Sequence, residues 1–67
     1  MIKLSNINKG DFVRFAYRND SKLKFRGYVV RVLNNTIVVD ISEDIINRGY
    51  KEIEPRQVVK HSNYQKL

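Results

Sequence analysis

Apolar residues recur at every second position through much of this chain. Val13, Phe15 and Tyr17 alternate with Phe12, Arg14, Ala16 and Arg18. Leu23, Phe25, Gly27 and Val29 alternate with Lys22, Lys24, Arg26 and Tyr28. A period of two marks a strand with one face in a core and the other in water. The pattern predicts two strands joined by the polar connection 18–21 into a hairpin, apolar inside and basic outside. The preceding "NKGD" at 8–11 is a turn signal, with Asp11 able to bond nearby backbone.

The alternation breaks after Val29, because strict continuation would bury Arg31. One residue bulged out near Val30 leaves Arg31 in water and returns Val32 to the inside. Such a bulge also bends the strand, as a small closed barrel requires. Gly27, just upstream, suits a close approach of backbone at the same corner. "LNNT" at 33–36 then predicts a two-residue Asn34-Asn35 loop of type I′, followed by a third strand over 36–41 with Ile37, Val39 and Ile41 inward. In "SEDIINRGYKEIEP", Ser42 can cap a helix, Glu43 and Asp44 suit its start and Gly49 its end. That segment reads equally as a short helical turn or an irregular loop. Beyond Pro55, residues 56–61 read as a last strand with Val58 or Val59 inward. Four to five short antiparallel strands with tight turns predict an all-β fold, a small SH3-like barrel, in a single domain spanning residues 1–67.

Charge changes the picture. Thirteen Lys and Arg against seven Asp and Glu give a net charge of +6. Residues 1–39 hold eight basic and two acidic residues, whereas 40–54 hold five acidic and two basic. A molecule polarised in this way attracts anions to one side, and nucleic acid is the commonest large anion in a cytoplasm. The acids of 40–54 can also shield the basic face in the free state. The cysteine count is zero, which fits a reducing cytoplasmic compartment. The opening "MIKLSNINKGD" lacks the apolar core of a signal peptide, and no uninterrupted apolar run exceeds three residues, so no membrane association is expected.

Little in the sequence suggests catalysis. There is one histidine, no cysteine and no glycine-rich phosphate loop, so neither an enzyme nor a cofactor is expected. Asp40, Glu43 and Asp44 read as a strand end and helix start rather than a cation site. His61 and Tyr64 read as closing the barrel rather than as a polar site. The hairpin is the candidate interface. Arg14, Arg18, Lys22, Lys24 and Arg26 are assigned to its outer face, with Arg31 beyond the bulge. Like charges opposite one another across a sheet repel, by up to about 1 kcal/mol for a direct pair. A polyanion relieves that repulsion and releases counterions at each phosphate contacted. Phe12 and Tyr28 fall on the same face, where an aromatic can stack on an unpaired base. The expected partner is RNA or single-stranded DNA, on its own or in a ribosome or transcription complex. The competing expectation is a protein-interaction module that takes an acidic partner or forms a weak homodimer through a strand edge.

Three blocks, "KGDFVRF", "RGYVVRVLNNTIVVDI" and "VVKHSNY", together resemble the YkvS-like family of small uncharacterised proteins from Gram-positive bacteria. The resemblance spans roughly residues 9–64. The closing block, Val58-Val59-Lys60-His61 with Tyr64, is its most specific part. The first two blocks are also similar to the KOW motif of ribosomal and transcription proteins. The resemblance implies an SH3-like barrel and no particular activity. The basic hairpin over 18–26 looks longer here than in many members. By analogy, the KOW likeness points toward RNA or ribosome contact.

Overall fold

The alternating segments become strands because each has one face to bury. In the computed structural model, which describes residues 7–67, these are β1 (Phe12–Tyr17), β2 (Asp20–Val32), β3 (Thr36–Asp40), β4 (Arg56–Lys60) and β5 (Tyr64–Lys66). The first part of "MIKLSNINKGD" lies outside the described residues. One helix, α1 (Ser42–Arg48), follows β3. The strands form one antiparallel sheet in the order β4-β3-β2-β1-β5. Val13, Phe15, Phe25, Val29, Ile37, Val39, Ile41 and Val59 are buried on its inner face, joined by Ile7 and by Ile45 of α1. Each such side chain contributes roughly 1.5–3 kcal/mol on burial.

The sheet is strongly curled. Laid flat, its outermost strands would stand four spacings apart, roughly 19 Å. Lys60 ends β4 and Tyr64 begins β5, and a four-residue step reaches at most about 14 Å. The turn between them is tightened further by a hydrogen bond from the Asn63 N–H to the Lys60 carbonyl, 2.9 Å. The result is a small all-β fold that bends toward a barrel, with β4 and β5 at its open seam. Tyr64 covers core from that seam, and its hydroxyl meets His61 Nδ1 at 2.9 Å. His61 Nε2 lies 2.9 Å from the Leu33 carbonyl, which can only accept, so Nε2 carries a proton. The pair thus ties β5 to the β2–β3 turn.

Two devices produce the curvature. The β2–β3 register shifts between Val29 and Arg31, which places the predicted bulge at Val30. Gly27 allows β3 to cross close by. A Cβ there would collide with the Asp40 carbonyl oxygen and lie 2.8 Å from side-chain carbons of Val39 and Ile41.

Several expectations are corrected. Val32 does not return to the core; it ends β2 opposite buried Ile37 but is itself 40 % exposed. The hairpin connection is two residues, 18–19, not four, because a register shift pairs Tyr17 with Asp20. Asn34 and Asn35 do form the β2–β3 loop, but no non-glycine residue described has positive φ, so the turn is not type I′. Strand β3 ends at Asp40, although Ile41 is buried as expected. Val59 is inward and Val58 is 56 % exposed. The strand expected over 56–61 is β4, one residue shorter, and a further strand, β5, follows it.

The segment 42–48 is helical, but Ser42 is not its cap. The Asp40 carboxylate takes that part, accepting from the Ser42 N–H at 2.9 Å and the Ser42 hydroxyl at 2.5 Å. Gly49 ends the helix at φ 78°, with its N–H on the Ile46 carbonyl and that of Tyr50 on the Ile45 carbonyl. This paired closure needs the left-handed conformation that glycine adopts freely.

Candidate nucleic-acid interface

Pairing of β1 with β2 sets the candidate residues in rows across the outer face. Phe12 lies opposite Tyr28, Arg14 opposite Arg26, and Ala16 opposite Lys24. The two aromatics meet edge to face with ring centroids 6.3 Å apart. Phe12 is 60 % exposed and Tyr28 42 %, a large outlay of ring surface to water in so small a fold. On the other side of β1, Gln65 of β5 faces Arg14 and accepts a hydrogen bond from its Nη2 at 3.3 Å.

Not all of the predicted set comes together. Arg14, Lys24, Arg26, Phe12 and Tyr28 form one patch. Lys22 extends it along β2 toward the hairpin tip. Arg18 is not on the strand face; it sits in the turn beyond β1, since that strand ends at Tyr17. Arg31 is separated from the patch by the bulge and lies opposite Val38 of β3. Phe15 and Phe25 are buried and Tyr17 packs against the core, so none of the three belongs to the face.

The acidic segment has its own partners. Half of β2 has no strand on the edge away from β1, and α1 occupies that edge instead. Asp44 Oδ2 accepts from the Arg26 backbone N–H at 2.9 Å, and Arg48 Nη1 donates to the Lys24 carbonyl at 2.5 Å. Asp44 and Arg48 also pair with each other at 3.2 Å. An i,i+4 ion pair thus does the work of a missing strand, satisfying one donor and one acceptor that would otherwise invite a foreign chain. The Arg48 guanidinium stands 5.0 Å from the Phe25 ring centroid and 5.6 Å from that of Tyr50. Asp44 therefore bonds the backbone of Arg26 and makes no ion pair with its guanidinium.

Asp40 is committed as well. Its carboxyl is held below the usual carboxylate range first by the Ser42 hydroxyl and backbone N–H, then by Arg56 and by the Tyr28 hydroxyl, against the opposing effect of burial. The Arg56 Nε lies 3.9 Å away. Among the described residues no three His, Cys, Asp or Glu side chains are grouped to hold a metal.

Sequence reasoning missed the groove beside the patch. It measures about 570 Å³ and is lined by Phe12, Arg26, Gly27 and Tyr28 of β1 and β2, by Asp40 and Leu67, and by Ser42, Glu43, Asp44 and Asn47 of α1. A second depression of about 280 Å³ lies across Arg14 and Lys24 against Asn63 and Gln65. The acidic helix start was legible as a local signal, but its docking beside Tyr28 depends on the crossing of β3 over Gly27.

Fold and face together define a small, curled all-β protein with a basic and aromatic outer surface. The chain belongs to the DUF2187 family, uncharacterized proteins conserved in bacteria, whose model matches residues 6–67. Neither the curated proteins nor the solved structures offer a match.

Proposed function

We propose that this protein is a non-enzymatic binding module that holds RNA or single-stranded DNA on the outer face of β1 and β2. The observation that carries the reading is the row Arg14–Arg26 next to Lys24. These are cations set side by side without an acid among them, beside two exposed aromatic rings. The side chains of Lys24 and Arg26 take no hydrogen bond or ion pair from the described residues, and Arg14 bonds only neutral Gln65. Phosphates fit the cations, and unpaired bases fit the rings. The likeness of the first two blocks to the KOW motif supports, by analogy, a role at a ribosome or transcription complex. No helix among the described residues is long and apolar enough to cross a membrane.

The test is fluorescence anisotropy with labelled single-stranded RNA, single-stranded DNA and duplex DNA at about 50 and 200 mM salt. Micromolar or tighter binding that prefers single strands supports the reading. Equal, weak binding of all three that vanishes at the higher salt means bulk charge alone.

A second reading, a protein-interaction module for an acidic partner or a weak homodimer, draws on β4 and β5. Each is paired on one side only, and Val58 of β4 stands exposed. Sedimentation as a monomer at high concentration would remove its homodimer form.

A further inference from the structure

The groove beside the basic patch has two polarities, and that combination narrows what it can hold. Arg26 lines it, with Arg14 opposite Arg26 across the β1–β2 pair, and it also holds three carboxylates, Asp40 of β3 and Glu43 and Asp44 of α1. Two of those carboxylates are engaged, Asp40 by Ser42 and Arg56, and Asp44 by Arg48 and the Arg26 backbone. Glu43 is exposed and makes no bond to the described residues, and Asn47, one helical turn on, makes none either. Four residues apart on α1, they share a side of the helix. Tyr28 and Phe12 also line it, their rings meeting edge to face. The volume, about 570 Å³, is within the range of small-molecule sites, roughly 300–1,000 Å³.

A basic peptide suits the carboxylates and rings but is repelled by Arg26 within the groove and by Arg14 and Lys24 on the adjoining face. A plain phosphate suits Arg26 but meets Glu43 as well. A nucleotide suits both if its base offers donors where Glu43 offers acceptors. Guanine is the one common base with two adjacent donors, N1–H and the N2 amino group, on its Watson–Crick edge. A carboxylate presents two adjacent acceptors to match. Adenine and cytosine set a ring-nitrogen acceptor beside their amino group, and uracil flanks its single N–H with two carbonyls. Each of these brings a lone pair against the carboxylate. We infer that the groove between Phe12, Tyr28 and α1 is a guanine subsite of the single-strand face, with the base stacked on the rings, its donor edge on Glu43, and its phosphate on Arg26 and Arg14. This inference rests on the nucleic-acid reading above.

The experiment uses the full chain and four labelled eight-nucleotide RNAs, each a run of uridines with G, A, C or U at one central position. The G-containing RNA is expected to bind about tenfold more tightly than the all-U RNA, in the range of one well-matched base contact. Glu43→Gln offers one acceptor and one donor in place of two acceptors, and is expected to bring that ratio close to one. Phe12→Ala is expected to weaken the G-containing RNA more than the all-U RNA. Equal affinity for all four RNAs overturns the guanine subsite while leaving single-strand binding in place. A G preference that survives Glu43→Gln overturns the assignment of the carboxylate. Failure of all four RNAs to bind overturns the nucleic-acid reading, and the subsite with it.

Discussion

The β1–β2 face and the β3–α1–β4 side of this protein treat charge in opposite ways. On the latter side Arg48 meets Asp44 and Arg56 meets Asp40. Arg14, Lys24 and Arg26 meet no carboxylate, although α1 brings Asp44 within hydrogen-bonding distance of the Arg26 backbone. Asp40 and Asp44 thus cap a helix and close an edge, and neither pairs with the side chains of Arg14, Lys24 or Arg26. Charge that serves stability is paired. Charge left in opposing rows costs stability, which points to a partner outside the molecule.

The junction between the two regions is Gly27, and breaking it has the largest expected effect. Gly27→Ala drives a methyl group into the Asp40 backbone and two side chains of the β3 crossing. The expected loss is about 3 kcal/mol in chemical denaturation, at the upper end for overpacking. Next comes the paired side. Arg48→Ala removes an ion pair, a bond to the Lys24 carbonyl and packing over Phe25. It should cost about 1.5 kcal/mol and raise the tendency to self-associate as the β2 edge opens, read by sedimentation.

Asp40 sharpens the comparison through pH. Its carboxyl is lowered from 3.8 in the folded protein, so its contribution is fully present above that value. The contribution is lost as pH falls through the lower, folded value. Asp40→Asn is expected to be about 1 kcal/mol less stable than the parent at pH 7. The gap should close on acidification below 3.8, followed as thermal midpoints across pH.

The smallest effect has the opposite sign. Arg26→Glu sets a carboxylate opposite Arg14 and should raise stability by about 0.5 kcal/mol. The same change should weaken nucleic-acid binding. A gain in stability with a loss of binding is what an unpaired functional cation predicts.

Period-two alternation was enough to find β1, β2 and β3, their inward residues and the bulge at Val30, because those features follow from which side chains must avoid water. It also placed Phe12, Arg14, Lys24, Arg26 and Tyr28 on one face. It failed for Arg18 and Val32, whose environments depend on where pairing stops rather than on parity. Ser42 carried the local signature of a cap, yet Asp40 two residues earlier competes better, since a carboxylate accepts both the hydroxyl and the N–H. Strand β5 was hidden because it is three residues long and pairs with β1, distant in sequence, Tyr64 lying opposite Phe15. The groove was illegible for the same reason. Its two walls are separated by the whole of β3 and meet only through the Gly27 crossing.

The most direct test of the central claim is the salt dependence of single-stranded RNA binding, measured for the parent and for Arg14→Glu/Lys24→Glu/Arg26→Glu. Three phosphate contacts should contribute about two to the slope of log affinity against log salt. The account predicts a steep slope in the parent, on the order of 100-fold weaker binding in the triple variant, and a thermal midpoint no lower than the parent's. Unchanged affinity and slope in a folded triple variant would contradict it.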